Sequence, residues 1–294
     1  MDLKEFKLVI GVSGGPDSMY LLNQIFTDKN YGDIIVCHVN YNFRDDSSYD
    51  QFIVEDYCKK NNIKIKIKSV YYSEEKGNFE EWARLIRYNF FVEEIRNNGF
   101  SKIVIAHNLN DHAETFLMQT LRKSIVTYYG INPIGEYDGV QVLRPILDLK
   151  KSFILNELNK NGVKYAVDST NEDESYLRNK IRKTLTDKEI DNLKVQAELE
   201  NKTVDKFNKK YEHLFKSNSF DKTIFVDMDD FEINRFVYCW IKNNDSTNSI
   251  MKKKKKFVKE VVKQLGSSKN LKIVTDHLII NKQKNQVSIE MVSN

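Results

Sequence analysis

The sequence predicts an α/β fold with an open, mostly parallel sheet and helices on both faces, followed by a small α+β C-terminal domain. Two observations support this. Short β-like runs alternate with helical patterns over about the first 185 residues. In addition, the runs at 8–12 and 34–37 are continuously apolar, which is typical of parallel strands that are covered on both faces.

Strands and helices in strict alternation account for the first part of the chain. We predict strands at 7–12, 33–40, 63–72 and 102–108, and helices at about 16–28, 47–61, 79–97 and 111–123. A fifth strand is predicted at 140–147 and a further helix over about 150–161. That helix should end at Asn161-Gly162, because glycine is a frequent helix stop.

The C-terminal part has a different pattern. Polar residues with helical spacing over about 180–216 predict a connecting helix or helix pair. After them we predict a separate α+β unit with a strand at 223–226, helices near 229–243 and 252–265, and strands at 271–282 and 285–292. The predicted domains are a catalytic domain at 1–186, a helical linker at 187–216 and a basic C-terminal domain at 217–294.

Charge is spread unevenly along the chain. The net charge is +4, but residues 201–294 carry 19 Lys and Arg against 11 Asp and Glu, whereas residues 1–200 carry 27 against 31. A basic C-terminal region with the run Lys252–Lys256 predicts contact with a polyanion. A solvated lysine-rich surface explains the same charge equally well.

The cysteines and the apolar runs exclude several classes of protein. Cys37, Cys58 and Cys239 are odd in number and far apart, which argues against a disulfide framework and a zinc knuckle. The N-terminal residues lack a signal-peptide layout, and no apolar run is long enough to span a membrane. We therefore expect a cytoplasmic protein without a membrane partner, and the oligomeric state stays undetermined.

The turn Ser-Gly-Gly-Pro-Asp-Ser separates the first predicted strand from the first helix. Gly14 and Gly15 lack a Cβ, so the backbone can turn sharply and approach a ligand closely. Pro16 presets φ at the helix start. In an open α/β sheet, ligands bind where the strands end, and a helix start offers N–H groups to an anion.

The polar side chains of this turn suit a phosphate ligand. Ser13 and Ser18 supply hydroxyl groups. Asp17 would repel an anion unless a cation lay between them, so Asp17 predicts Mg²⁺. The Walker A pattern is absent, because no lysine follows the glycines. A plain glycine-rich turn is the alternative.

The hexapeptide resembles the signature of the PP-loop ATP pyrophosphatases. The resemblance implies that the chain binds ATP and cleaves it between the α- and β-phosphates, using AMP to activate a substrate oxygen. It also implies the PP-loop form of the α/β fold for the catalytic domain.

Four further stretches carry polar side chains at strand ends or on one helix face. They are CHVNYNFR (37–44) with His38, Asn40 and Arg44; EEWARLIRYNFF (80–91) with Arg84 and Arg87; AHNLNDHAETFLMQTLR (106–122) with His107, Asp111 and Glu114; and DSTNEDESYLRNKIR (168–182) with Arg178 and Arg182. An acidic pair near ATP can hold an ammonium group or a second metal, and arginines can neutralise phosphate.

This set, in this order, is similar to the tRNA(Ile)-lysidine synthetase family. The resemblance implies a ligase that joins L-lysine to C2 of the wobble cytidine in tRNA(Ile) with a CAU anticodon, through an adenylated base. It implies catalytic roles for Arg84, His107, Asp111, Glu114, Arg178 and Arg182. It implies nucleotide binding by Ser13, Gly14, Gly15, Pro16, Asp17, Ser18, His38 and Asn40, with Asp17 as the metal ligand.

Other interpretations stay open. Asp111 and Glu114 could serve as helix-capping residues and nothing more, or they could bind zinc together with His107 and His112. Arg84 and Arg87 could form surface ion pairs with Glu80 and Glu81. A PP-loop thiolase and a non-catalytic RNA-binding protein are the rival functions. The role of the loop at 123–139 is open because the sequence there departs from the family pattern.

Overall fold

A six-stranded sheet forms the centre of the N-terminal part of the chain. The structure is a computed structural model, and it describes residues 3–29, 31–43, 47–73, 78–167, 181–182, 184–245, 254–275 and 277–292. The strands of this sheet are β1 (Leu3–Gly11), β2 (Tyr31–Asn40), β3 (Lys64–Ser69), β4 (Lys102–Val104), β5 (Ile134–Tyr137) and β6 (Val140–Leu143). The helices that alternate with them are α1 (Pro16–Asp28), α2 (Ser47–Lys60), α3 (Phe79–Asn98), α4 (Leu109–Leu121) and α5 (Lys151–Lys160).

The strand order is β3-β2-β1-β4-β6-β5, and all neighbours are parallel except β5 and β6. The prediction of an open, mostly parallel sheet is therefore confirmed. The chain winds outward from β1 in both directions, so the edge beyond the carboxyl ends of β1 and β4 is the switch point where ligands bind in such sheets.

The residues of β1 explain why helices cover both faces. Leu8 and Ile10 pack in one buried cluster with Met19 of α1, whereas Val9 packs on the opposite face with Phe91 of α3. Side chains alternate across a strand, so a run that is apolar at every position needs a partner layer on each side.

The predicted helices α3 and α5 end where glycine follows them. α3 begins after Asn78, whose side chain accepts the N–H of Glu81, and stops at Gly99, which has a left-handed φ of 67°. α5 ends at Lys160, and Gly162 has a φ of 63°. Glycine adopts this conformation without the steric cost of a Cβ.

One strand of the sheet was not predicted. β5 and β6 form an antiparallel hairpin that is closed by Asp138 and Gly139, both with positive φ. Asp-Gly is a strong signal for a two-residue hairpin turn. The predicted strand at 140–147 is correct in position, but the observed β6 ends at Leu143.

The chain divides into two compact units, Met1–Phe116 with Gly130–Lys194 and Leu117–Tyr129 with Val195–Asn294. Helix α6 (Asp187–Phe215) has residues in both. The predicted domain limits at 186 and 216 stay a prediction. We find no helix among the described residues that combines the length and the apolar composition needed to cross a membrane.

The second unit contains an antiparallel sheet with the order β7-β10-β9-β8, so the predicted α+β character of the C-terminal part is confirmed. Its elements are β7 (Ser219–Asp221), α7 (Asp230–Asn244), α8 (Lys254–Leu265), β8 (Leu271–Val274), β9 (Leu278–Gln283) and β10 (Gln286–Met291). Phe236 and Trp240 of α7 are fully buried in its core.

Two local predictions in this unit were wrong. The segment 223–226 lies in a 3₁₀ helix at Lys222–Asp227, because the Asp221 side chain accepts the N–H of Thr223 and starts a turn. The predicted strand at 271–282 is two strands. The hydroxyl and N–H of Thr275 both donate to the carbonyl of Leu278, which closes a turn between β8 and β9.

Candidate active site

The turn at 13–18 lies between β1 and α1, and its own hydrogen bonds hold it in shape. The Ser18 hydroxyl donates to the Gly15 carbonyl at 3.0 Å and accepts the N–H of Ser13 at 3.1 Å. Gly14 has a φ of 92°, and a Cβ there would lie 2.8 Å from the carbonyl oxygen of Asp50. Only glycine therefore fits at this position without a shift of the backbone.

The first turn of α1 has backbone N–H groups available for a ligand. Gly15 is the N-cap residue and Pro16 occupies the first turn, and no side chain of the described residues caps the helix. The amides of Asp17 and Ser18 lie in this first turn, where N–H groups have no partner within the helix. Such a helix start, together with the Ser13 hydroxyl, fits phosphate oxygens.

Asp17 connects the turn to the next strand end of the sheet. Its carboxylate accepts a hydrogen bond from the Asn108 amide at 2.9 Å. Burial raises the pKa of Asp17, and the nearby Asp111 carboxylate raises it further, whereas Asn108, Lys151 and Arg182 lower it. A desolvated carboxylate beside a second one fits a magnesium ion, which binds through one or two carboxylates and phosphate oxygens.

Asn108 also organises the start of α4. Its side-chain oxygen accepts the N–H of Asp111 at 3.0 Å, and the Asp111 carboxylate accepts the N–H of Asn108 at 3.2 Å. The two residues therefore cap the helix reciprocally. Asp111 therefore takes part in a helix cap, whereas Glu114 lies one turn further along and takes no part in it.

Glu114 pairs with Arg182. The Glu114 side chain is 1% exposed, and its two oxygens accept from Nε and Nη2 of Arg182 at 2.9 and 3.4 Å. The same guanidinium lies 3.9 Å from the Asp111 carboxylate, which is 17% exposed. Both oxygens of Glu114 thus bind a protein cation, and Asp111 is the carboxylate of the pair that solvent reaches.

A cavity extends from the turn toward α3. Its described lining includes Gly11, Val12, Ser13, Gly15, Asp17, Ser18, Cys37, Val39, Tyr41, Arg84, Arg87, Tyr88, Phe91, Ile105, Ala106 and His107. The prediction that Arg84 and His107 lie near the turn therefore fits the geometry. The Arg84 guanidinium lies over the ring of Tyr88, 4.5 Å from its centre.

Arg84 and Arg87 of α3 form no surface ion pairs with the residues that the structure describes. Within the described part of the chain, neither Arg84 nor Arg87 lies within salt-bridge distance of a carboxylate. The Nε of Arg87 is buried and lacks a hydrogen-bond partner there. Because a buried guanidinium N–H without a partner is costly, this group is suited to an anion in the cavity.

His38 and Asn40 do not line the cavity, although both follow the strand pattern toward the same sheet edge. Side chains alternate along β2, and the lining residues are Cys37, Val39 and Tyr41. His38 Nδ1 lies 2.9 Å from the carbonyl of Val12, and Asn40 donates to Gln51 of α2 at 3.0 Å. Both side chains brace β2 against neighbouring elements.

The sequence analysis missed two residues of this site. Asn108 is 2% exposed and links Asp17 to α4. Arg144 follows β6 and donates from Nε to His107 Nδ1 at 3.1 Å. A polar residue directly after a predicted strand could have identified Asn108. An arginine inside an apolar run and before a proline was the available signal for Arg144.

Some predicted site residues lie outside the described residues. They are Arg178, most of the stretch 168–182, and Arg44. No three His, Cys, Asp or Glu side chains are grouped as a metal centre would require in the parts of the chain that the structure describes, which argues against the zinc alternative for those residues.

The fold and the turn agree with a comparison of the chain with known protein families. Residues 1–189 match the family model described as a PP-loop domain. The parallel sheet with its switch point at β1, the Ser-Gly-Gly-Pro-Asp-Ser turn and this match define a PP-loop protein.

Curated relatives narrow the class further. The chain is 42% identical over 288 residues to a tRNA(Ile)-lysidine synthase of Mycoplasma mycoides subsp. mycoides, a match that covers 94% of this chain and 72% of the relative. It is 38% identical over 289 residues to a protein of the same name from Mesoplasma florum, covering 92% and 71%. The chain belongs to the tRNA(Ile)-lysidine synthase family.

A solved structure shares the fold. The U34-tRNA thiolase NcsA from Methanococcus maripaludis, solved with its [4Fe-4S] cluster, superposes with a TM-score of 0.51 at 17% sequence identity, and 72% of each chain is covered. At this identity the similarity concerns the fold alone.

Proposed function

We propose that this chain uses ATP to join L-lysine to C2 of the wobble cytidine of tRNA(Ile), giving lysidine. One observation above all supports the proposal. The glycine-rich turn and the start of α1 lie in the same cavity as Arg84 and Arg87, which form no ion pair within the described part of the chain, and beside a helix that carries two carboxylates. Family membership supplies the substrate class.

In the first step, the turn at 13–18 binds the phosphates of ATP. The amides of the first turn of α1 and the Ser13 hydroxyl donate to phosphate oxygens. Asp17 is suited to hold Mg²⁺, which neutralises phosphate charge when bound. The C2 carbonyl oxygen of the cytidine attacks the α-phosphorus, the bond to the bridging oxygen breaks, and pyrophosphate leaves.

Arg84 and Arg87 face the charge that develops in this step. Both line the cavity, and neither is neutralised by a carboxylate of the described residues. Fixed cations in a partly desolvated cavity stabilise a charged transition state more than they do in water. The chain thereby contributes positioning and charge neutralisation rather than a covalent group.

In the second step, the lysine amine attacks C2 of the adenylated base. A C–N bond forms, the C2–O bond breaks, AMP leaves, and the amine loses a proton. Asp111 is the carboxylate of the predicted pair that solvent reaches, so we assign the contact with a lysine ammonium group to Asp111. Glu114 contributes by holding Arg182.

The basic C-terminal region is proposed to bind tRNA phosphates. Residues 201–294 have eight more basic than acidic side chains. In the run Lys252–Lys256, Lys256 is exposed, and the side chains of the other four lysines lie outside the described residues. Replacing the five lysines with glutamine should raise the KM for tRNA and flatten its salt dependence, because fewer counterions are released on binding.

The thiolase alternative finds no support in the cysteines. Cys37, Cys58 and Cys239 are all buried. Burial raises the pKa of all three thiols, to about 12 for Cys58 and about 11 for Cys239. A thiolate is the reactive form of cysteine, so these residues are poor nucleophiles at neutral pH. Serine variants of each should keep full activity.

The decisive experiment is incubation of the protein with ATP, isotope-labelled lysine and bulk tRNA, followed by nucleoside mass spectrometry. We expect a cytidine whose mass has increased by one lysyl residue, and stoichiometric release of AMP and pyrophosphate. ATP binding without cleavage would favour the non-catalytic RNA-binding alternative. A sulfur-containing nucleoside would favour the thiolase.

A further inference from the structure

We infer that Arg144 is a positioning residue that holds His107 as a neutral imidazole with its proton on Nε2. Arg144 Nε donates to His107 Nδ1 at 3.1 Å, and His107 lines the cavity beside Arg84 and Tyr88. The role of this cavity rests on the proposed function, whereas the protonation state of the ring follows from the contact itself.

The direction of this hydrogen bond is fixed by chemistry. A guanidinium group is always protonated in a protein and has no acceptor, so its N–H can only donate. His107 Nδ1 must then offer its lone pair and cannot carry a hydrogen. A neutral ring with an unprotonated Nδ1 has its hydrogen on Nε2.

Several contacts hold Arg144 in place for this purpose. Its Nη1 donates to the carbonyl of Asn132 at 2.6 Å, and its backbone N–H donates to the carbonyl of Pro133 at 3.1 Å. The guanidinium packs against Gly135, where a Cβ would lie 2.9 Å from Nη1. The glycine in β5 thus makes room for an arginine that is braced from two sides.

Arginines predominate among the charged groups of the described cavity lining. Arg144 approaches the ring from the end of β6, and Arg84 and Arg87 of α3 line the same cavity, whereas Asp17 of α1 is the acidic group in the described lining. An imidazolium would place an N–H of the ring against the N–H of Arg144. The contact with Arg144 Nε therefore favours the neutral ring.

This assignment defines what His107 can do in the reaction. On this assignment Nε2 is the ring nitrogen that carries the hydrogen, and a hydrogen bond to an oxygen is donated from it. The ring does not accept a proton from lysine through Nδ1, because that lone pair is already bound by Arg144. His107 therefore does not serve as the base of the second step through Nδ1.

Nitrogen NMR of the whole protein with ¹⁵N-labelled histidine tests the tautomer directly. The chain has five histidines, so His107→Asn identifies the signals of interest. We expect Nδ1 of His107 in the range of an unprotonated nitrogen and Nε2 in that of a protonated one, from about pH 8 to about pH 5. A protonated Nδ1, or an imidazolium within this range, would overturn the inference.

Variants link the tautomer to catalysis. Arg144→Met removes every side-chain donor while keeping a side chain of similar length. We expect His107 to become protonated as the pH falls. We also expect kcat for lysidine formation to drop by up to about a hundredfold, because the ring is no longer held in place, with less change in the KM for ATP. Arg144→Lys keeps a donor and should restore part of both readouts. The control is Arg96→Met. This change removes an arginine of α3 whose partner, Asp138, lies in the turn of the β5–β6 hairpin, the hairpin that leads into Arg144.

The outcomes separate this inference from the proposed function. If the wild-type protein makes no lysidine but His107 has the expected signals, the proposed function fails and the inference stands. If lysidine forms and Arg144→Met leaves both kcat and the His107 signals unchanged, the inference fails. If Arg144→Met does not fold, the His107 signals of the wild-type protein and of Arg144→Lys still test the tautomer.

Discussion

Two neighbouring regions at the same sheet edge are held in shape by different means. The turn at 13–18 relies on backbone: a glycine with a left-handed φ, an uncapped helix start and a serine that closes the loop. The region after β4 relies on side chains, with Asn108, Asp111, Glu114 and Arg182 joined by hydrogen bonds and ion pairs. In the function proposed above, the first would donate N–H groups to phosphate, and Asp111 of the second would contact a lysine ammonium group.

The difference shows what each region can tolerate. The turn at 13–18 depends on its backbone conformation, so a single Cβ at the wrong residue disrupts it. The side chains of this turn contribute to binding one by one. A side-chain network depends on matched partners, so a change in one member leaves another member unpaired in a partly desolvated place. Asp17 belongs to both regions, because it lies in the turn and its carboxylate accepts a hydrogen bond from Asn108.

Asp17→Asn should have the largest effect. The amide keeps an oxygen for the Asn108 contact but removes the negative charge that suits Mg²⁺, so we expect pyrophosphate release to fall by about a hundredfold or more. The assay is pyrophosphate release over a magnesium titration. Glu80→Gln, an exposed acid in the first turn of α3, is the control and should keep wild-type rates. Normal release by Asp17→Asn would remove Asp17 from the metal role.

Gly14→Ala tests the backbone region. The new Cβ would lie 2.8 Å from the Asp50 carbonyl at a φ of 92°, so we expect a loss of about 1–3 kcal/mol in the free energy of unfolding and a similar or larger loss in ATP use. The comparison is Gly15→Ala, where φ is −70° and the nearest atom is 3.6 Å away. Denaturant unfolding should show almost no change for Gly15→Ala. Equal losses in both variants would contradict the backbone explanation.

The two regions also differ in how far the sequence predicts them. The order of residues at 13–18 reveals the strand end, the turn and the helix start, because glycine and proline have few conformational roles. The spacing of Asp111 and Glu114 places both on one helix, but it does not reveal that Glu114 is bound by Arg182, 68 residues away. Long-range pairs of this kind are decided by tertiary packing.

The same limit explains the other differences from prediction. His38 and Asn40 follow a strand end, yet alternation along β2 turns them away from the cavity lined by Val39 and Tyr41. Arg144 stands in an apolar run, and its contact with His107 depends on the β5–β6 hairpin. The Asp-Gly pair at 138–139 is a hairpin signal that the sequence itself carries.

A double-mutant cycle tests the side-chain region. Glu114→Gln and Arg182→Gln should each lower the free energy of unfolding by about 1–3 kcal/mol, and the double variant by less than the sum, since each single change leaves a partner uncompensated. The measurement is urea unfolding. The control cycle uses Lys68 and Glu93, whose side chains are 38% and 54% exposed, and its coupling should stay below about 0.5 kcal/mol. Additive losses at Glu114 and Arg182 would contradict the network.

The smallest expected effect concerns stability and pH at Asp17 in the ligand-free protein. Burial raises its pKa in the folded state above the usual value of 3.8, so the charged carboxylate opposes folding at neutral pH. Asp17→Asn should therefore unfold at a higher temperature than wild type at pH 7, while losing activity. As the pH falls through the raised pKa and then below 3.8, the carboxyl becomes neutral in both states and the difference should disappear. The control is Asp205→Asn, at an exposed position of α6, which should show no such gain in unfolding temperature. If Asp17→Asn unfolds at a lower temperature than wild type at pH 7, the contacts of Asp17 outweigh the cost of its desolvation.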